Sequence, residues 1–530
     1  LLSFRSLPLF RCYALPFWFH PRHQAMTPVA VSGMSGKESR RVMIIFESTP
    51  GAVRHYLAAG HCLQQQGFSI SMVGPPEGQS MAQHFGLAYI SNGPAISEIL
   101  AKPSVIAATT ANSLSKFEAA LATEMEPFEA ASIHNLCSAV KGFDPQLLLS
   151  SLRNFHRVTA IGNALNIPLL PLALQEPNKS FGDCLEPAWA QKKDGDLAAF
   201  LAKELRRLSP IYEQSLGVSP VDHWPSASQI KALTGEKPVF PYLTIYNHAM
   251  HHCHTRHPPV LPFDIKKPFI GEPSRVLALG NLQLPEQEEM SAAHFDKSEV
   301  LQIEKFLADA PGAKHTVYVG YGHLICKSTN FMAGLILRSL MASNTQAIVY
   351  AGSGIALAAI EQEADFSALK AFCEINVLFV KNPPVVRFLS RCLCCLHEGS
   401  NAMLSLASMY SLVSIMTPIA GAHFANAAEA AKASQGVALP AMAKMTVAQL
   451  SKVLSDFKGN HWKQQHELWS RWEVHANDDE LAAGRLSREI QRIFKELVST
   501  EYLIKDMQEL KADEGNGPCR CCAYKRVHVA

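Results

Sequence analysis

The sequence predicts an α/β protein made of two Rossmann-like, doubly wound domains facing across a cleft. Three observations carry this expectation. A chain of 530 residues is too long for one compact core. Between Arg41 and Gly74 an apolar run, a turn, a helical pattern and a second apolar run make a βαβ unit, which requires a parallel sheet covered by helices. A second cycle of the same kind begins at Lys314 and continues to Met416.

The elements follow in chain order. Residues 1–33 carry Arg5, Arg11 and Arg22, no acidic residue and many apolar side chains, a composition that resembles a transit peptide. Met34 begins MSGKESRRVMIIF, which looks like a natural start, so residues 1–41 are expected to be a leader or non-structural extension. The first domain is expected over 42–270. Its first strand, Arg41–Phe46, ends in the turn Ser48-Thr49-Pro50-Gly51; the helix AVRHYLAAGHCLQQQGF and the strand Ser69–Gly74 follow. Further strand starts lie at QLLLSSL, after Phe143-Asp144-Pro145, and at Asn166–Leu170. Proline and charge gather over 257–292, and a linker is expected over 271–311. In the second domain, 312–460, the strands Lys314–Gly320, Gln346–Ala351, Asn376–Val380, CLCCL and Leu412–Met416 alternate with helical stretches such as FMAGLILRSLMAS. Helices are expected over 461–512, and 513–530 is a Cys-rich tail.

Composition excludes some functions. With 48% hydrophobic and 18% charged residues the chain is globular, not disordered. Forty-eight basic residues against 46 acidic ones give a net charge of +2, with no basic surface to displace the counterions of DNA or RNA. Nucleic acid is therefore not an expected partner. The 13 cysteines are odd in number and thinly spread, which suits free thiols in a reducing, cytoplasmic setting. Peripheral membrane contact is a further expectation, and the Arg-rich leader leaves an organelle open. The uncharged run Leu404–Ala422 is interrupted by serines, a threonine, a proline and a glycine, so it reads as a helix and a buried strand, not a membrane span.

Two clusters invite a metal reading and are not assigned one. Cys392-x-Cys394-Cys395 and Cys519-x-Cys521-Cys522 lack the two-residue spacing of zinc ligand pairs. The histidine run His248, His251, His252, His254 and His257 reads as a surface or cleft-rim stretch.

The stretch Leu396-His397-Glu398-Gly399-Ser400-Asn401-Ala402-Met403 is a polar island between two apolar runs. A buried strand ends, a glycine permits close approach, and a helix opens at Ser400 or Asn401. Those residues would cap the helix, and its N-terminus would hold an anion.

The second half then becomes recognisable. Thr316–His323 (TVYVGYGH), Pro383-Pro384 followed by Arg387–Cys392, LHEGSNAM, Thr417–Phe424 (TPIAGAHF) and Ala438-Leu439-Pro440 stand in the order and spacing of one family's motifs, preceded by Leu284-Pro285-Glu286-Gln287. In this the chain resembles the UDP-dependent family 1 glycosyltransferases of the two-domain GT-B fold, most closely the sterol glucosyltransferase branch. The first half matches more weakly, through Pro50–Val53 and Phe143-Asp144-Pro145.

The resemblance implies a UDP-sugar donor as co-substrate, a sterol or other lipophilic acceptor, and no metal or other cofactor. It implies nucleotide and phosphate binding by Gly322, His323, Pro384, His397, Gly399, Ser400 and Asn401, and donor-sugar contact at Ala422 and His423. One-residue ambiguity leaves either His397 or Glu398 in the family's phosphate-facing position; a carboxylate there would repel a diphosphate, so chemistry favours His397. The family's catalytic histidine corresponds to Ala52, and His55, about one helical turn on, is the candidate base. The family's Asp-Gln sugar grip corresponds to Ala422-His423, the VPQ glutamine to Val385 and the loop serine to His323. Two functions stay open: transfer of a hexose to a lipophilic hydroxyl, or a catalytically degenerate relative with a nucleotide-binding or regulatory role.

Overall fold

The computed structural model describes residues 39–47, 50–111, 114–173, 194–227, 242–245, 276–280, 282, 284, 297–308, 316–381, 383, 385–410, 412–432, 435–457, 483–484 and 486–495. β1 (Arg41–Ile45), β2 (Ser69–Gly74), β3 (Ala88–Ser91), β4 (Leu147–Ser150), β5 (Leu169–Ala173), β6 (Tyr242–Ile245) and β7 (Val276–Gly280) form a seven-stranded sheet in the order β3-β2-β1-β4-β5-β6-β7. β8 (Thr316–Gly320), β9 (Gln346–Tyr350), β10 (Val377–Val380), β11 (Cys394–His397), β12 (Val413–Met416) and β13 (Gly436–Ala438) form a six-stranded sheet in the order β10-β9-β8-β11-β12-β13. All these pairings are parallel.

Parallel strands joined by crossovers need helices on both faces, and the strand sequences show the consequence. In β1, Val42 and Ile44 enter one core while Met43 and Ile45 enter another. In β11, Cys394 and Leu396 face the core that also holds Val317 and Val319, and Cys395 faces the opposite one with Tyr318. The helices of the first domain are α1 (Pro50–Gln65), α2 (Gln79–His84), α3 (Ile96–Leu100), α4 (Pro103–Thr110), α5 (Leu114–Phe143), α6 (Phe155–Leu165) and α7 (Asp194–Leu216). The second domain carries α8 (Lys297–Ala308), α9 (Thr329–Ala342), α10 (Phe366–Asn376), α11 (Val385–Phe388), α12 (Asn401–Met409), α13 (Ala422–Lys432) and α14 (Val447–Phe457).

Two stretches are more integrated than their sequence suggests. The expected linker 271–311 contains β7, the last strand of the first sheet, and α8, whose Ile303 and Leu307 pack into the second domain. Residues 486–495, within the expected C-terminal helices, return to the first domain. Leu486, Ile490, Ile493 and Phe494 recur at helical spacing and join the core of Leu57 and Phe68. The Phe494 ring stacks 6.1 Å from that of Phe68.

The two sheets also touch through the helices that follow β3. Ile99 and Leu100 of α3 and Val105 of α4 share one core with Tyr321, Leu324 and Cys326, which follow β8. The Thr109 hydroxyl donates to the Ile325 carbonyl at 2.9 Å, and the Lys327 N–H donates to the Thr110 hydroxyl at 3.1 Å. Among the described residues no helix is long and apolar enough to cross a membrane, and the run after Leu404 divides into α12 and β12.

Candidate functional site

In each sheet the strand order reverses once, between β1 and β4 in the first and between β8 and β11 in the second. Open parallel sheets bind ligands outside the carboxyl ends of the strands at such points, because the following connections leave in opposite directions and open a crevice. The second reversal is flanked by the turn holding Gly322 and His323 and by the loop His397–Asn401; register pairs His397 with Gly320 and with Met416. The first reversal is flanked by α1, which carries His55 and packs against α12. The topology thus gathers most of the residues singled out from the sequence at the carboxyl edges of the sheets.

The loop after β11 is built around His397, which is 0% exposed. The N–H of Gly399 donates to His397 Nδ1 at 3.0 Å. Nδ1 is therefore the accepting nitrogen, and the neutral ring must carry its proton on Nε2. Nε2 is buried and has no partner among the described residues. Burial, then the nearby His423, lowers the His397 pKa to about 3, so the ring is neutral at physiological pH. A buried, unspent N–H donor beside a helix N-terminus suits an anion.

Gly399 is required at its position. Its φ is +96°, and a Cβ there would stand 3.0 Å from the His423 carbonyl oxygen. Asn426 of α13 donates through Nδ2 to the Gly399 carbonyl at 3.0 Å, fixing the peptide. α12 opens at Asn401, within the expected Ser400–Asn401 start. The Ser400 hydroxyl engages the neighbouring Glu398 carboxyl.

The turn after β8 faces both domains. Gly322 adopts φ +54° and has no atom within 4 Å of a would-be Cβ, which leaves open space at this point. His323 is half-buried; its Nε2 lies 3.3 Å from the Tyr350 hydroxyl, and its Nδ1 is buried with no hydrogen-bond partner among the described residues. Burial lowers its pKa while the carboxylate of Glu77, reaching over from the first domain, opposes the shift. Glu77 is itself held by the N–H and hydroxyl of Ser97, at 2.9 and 3.1 Å.

His55 is 5% exposed, with Nδ1 3.4 Å from the Leu282 carbonyl. A carbonyl can only accept, so Nδ1 carries the proton and Nε2 is left basic. Burial, with a smaller contribution from Arg54, lowers the pKa to about 4. Ala52 stands in the first turn of the same helix.

Other sequence-derived sites fare differently. Ala422 and His423 open α13; His423 is half-buried, its Nδ1 accepts from the Ala420 N–H at 3.4 Å, and burial lowers its pKa to about 4. Pro384, the histidine run 247–257 and the tail cysteines lie outside the described residues. Cys394 and Cys395 point to opposite faces of β11, and burial raises the thiols of both, so the first cysteine cluster does not converge on one point as metal ligands must.

No protein-family model matches this chain, and no curated protein matches it. Solved structures do. A glycotransferase of kitacinnamycin superposes with a TM-score of 0.53 at 13% identity, covering 87% of this chain and 100% of the other. The glycosyltransferase VinC in complex with DTDP gives 0.51 at 13%, covering 85% and 100%. The spinosyn forosaminyltransferase SpnP gives 0.51 at 13%, covering 86% and 100%. The chain has the GT-B fold.

Within this GT-B chain, four residues to which the sequence assigns no site role support the crevice, Tyr321 and Thr417 from quoted motifs and Glu77 and Asn426 from outside them. The Thr417 N–H donates to the His397 carbonyl at 2.9 Å, and its hydroxyl pairs with the Tyr321 hydroxyl at 2.5 Å, tying together the ends of β8, β11 and β12. Asn426 follows His423 by one helical turn, and that spacing was its only sequence signal. Glu77 had none, because it comes from the other domain.

Proposed function

We propose that this chain is a nucleotide-sugar-dependent glycosyltransferase that takes a UDP-sugar and passes its hexose to a hydroxyl of a sterol or other lipophilic acceptor. The observation that carries the reading is the unspent Nε2–H of His397, buried beside Gly399 and the N-terminus of α12 at the reversal of the second sheet. Such a donor set stabilises the diphosphate as charge develops on it, because it is fixed before the reaction and shielded from water. One structure sharing the fold is a complex with DTDP, which supports a nucleotide diphosphate as the ligand class.

In an inverting transfer the acceptor oxygen attacks the anomeric carbon, its proton passes to a base, and the bond from that carbon to the diphosphate oxygen breaks. His55 is the group this reading assigns as base, through Nε2, with the Leu282 carbonyl holding the tautomer. The same reading gives His323 and His423 contacts to the donor, and the open space at Gly322 leaves room for it. The lipophilic acceptor is the part carried by sequence resemblance, as is peripheral contact with a membrane.

A second reading has its own observation. Glu398 sits in the proposed diphosphate loop with a buried Oε2 that has no partner among the described residues, and Ala52 and Ala422 stand where a base and a sugar-gripping acid are expected. These favour a chain that binds nucleotide without transferring sugar. Titration with UDP-glucose by calorimetry, then an assay of UDP release with mixed donors and a sterol, separates the two. Binding with release supports transfer, binding without release supports the second reading, and no binding removes both.

A further inference from the structure

Glu398 is the charged residue placed least comfortably for a diphosphate site. It is 5% exposed and stands one residue beyond the register pair His397–Gly320, at the carboxyl edge of the two central strands. Tyr321 follows Gly320 on the facing strand, and the Tyr318 ring folds over Gly320, its hydroxyl 2.9 Å from a would-be Cβ. Glu398 acts electrostatically on both phenols, whose rings lie in the two opposite cores of the sheet. Ser400 donates to one oxygen; Oε2 has no partner among the described residues.

Among the described residues, the groups that act on the Glu398 carboxyl are Ser400 and its own backbone, and neither carries a positive charge. From β8 and its turn come Tyr318 and Tyr321, from β11 His397, from its own loop Ser400. α13 brings His423, which acts on His397, and α1, packed on α12, brings Arg54, which acts on His55. Buried charge without a counter-charge is costly, and a buried carboxyl resolves this by keeping its proton.

Resting on the nucleotide reading of the loop, we propose that Glu398 serves as a neutral carboxylic acid whose Oε2–H donates a hydrogen bond to the bound diphosphate, so that donor binding requires this proton. Ser400 holds the other carboxyl oxygen, Oε2–H would add a second donor to His397 Nε2–H, and deprotonation replaces a donor with a repelling charge. Burial raises the carboxyl pKa to about 7, which places the switch near neutrality. The residue that looks like a defect in a phosphate loop then makes the site proton-controlled.

The test uses UDP-glucose, whose diphosphate is a diester and keeps its charge from about pH 6 to about 8.5. Calorimetry on the whole chain is expected to show affinity about thirtyfold weaker at pH 8.5 than at pH 6, as the binding-competent fraction falls. Repeating it at pH 8 in buffers of different ionisation heat is expected to show uptake of close to one proton per ligand. Glu398→Gln keeps a donor without a titrating group and is expected to lose both the pH slope and the proton uptake. A pH-invariant affinity without proton uptake in the unaltered protein overturns the proposal, as does a Glu398→Gln protein that keeps both. If neither protein binds UDP-glucose at any pH, the nucleotide reading itself falls, and the proposal with it.

Discussion

The main-chain N–H of Gly399 donates to Nδ1 of His397 at 3.0 Å, and this one bond decides the chemistry of the loop. It assigns the ring proton to Nε2, where no described group receives it. A buried donor without a partner is unfavourable in the free protein by about 1–3 kcal/mol, and a ligand anion would recover that energy.

His397→Asn places an amide oxygen near the position of Nδ1 and removes Nε2. The Gly399 contact is retained and the donor is lost. UDP affinity is expected to fall about tenfold or more, in line with about 1.5–3 kcal/mol for a hydrogen bond to a charged group. Calorimetry checks this, and a circular-dichroism melt confirms that the loss is not unfolding.

Gly399→Ala meets two obstacles, a φ of +96° and the His423 carbonyl 3.0 Å from the new methyl. Destabilisation of about 1–3 kcal/mol is expected, with loss of nucleotide binding because the loop must move away from α13. The denaturation midpoint in urea reads the first effect, and fluorescence or calorimetric titration reads the second.

His55→Asn removes the basic nitrogen Nε2 that the transfer reading requires. UDP-glucose binding is expected to persist while UDP release falls about 10²–10⁴-fold. Equal turnover in the two proteins excludes His55 as the base.

Acid stability follows from four histidines that the fold keeps neutral. His55 and His423, with pKa values lowered to about 4, and His156 and His397, lowered to about 3, are neutral when folded but protonate near pH 6.5 when unfolded. The unfolded chain therefore binds more protons below pH 6.5, and stability falls as pH drops from there toward about 3. Glu398, raised to about 7, has the opposite sign: its contribution is complete below its unfolded value and is lost as pH rises through 7. A melting-temperature profile from pH 4 to 9 is expected to decline on the acid side, and Glu398→Gln is expected to steepen that decline between about pH 4.5 and 7, where the native carboxyl opposes the histidines.

The contact between the domains is testable at one amide. Thr110→Val removes the hydroxyl that accepts from the Lys327 N–H at 3.1 Å. Hydrogen exchange of residues 321–328 is expected to accelerate, while exchange in β11 is unchanged. Unchanged exchange at Lys327 argues against this contact in solution.

Strands such as RVMII and TVYVG, followed by glycine-containing turns and helical periods, left little choice but doubly wound parallel sheets, because runs apolar on both faces need helices on both sides. The loop from His397 to Asn401 was legible for a related reason: a polar island between a buried strand and a helix marks a carboxyl edge. Sequence could not say which neighbour faced the crevice, since strand alternation assigns His397 and Glu398 to opposite faces only while the strand lasts. The positive φ of Gly399 and its N–H to His397 settle the ring's tautomer, and they depend on Asn426 and His423 from another helix. The same limit hid Glu77 over His323 and returned residues 486–495 to the first domain. Local pattern fixes which residues end a strand or open a helix. Protonation, tautomer and partner are set by groups distant along the chain, and only packing brings those together.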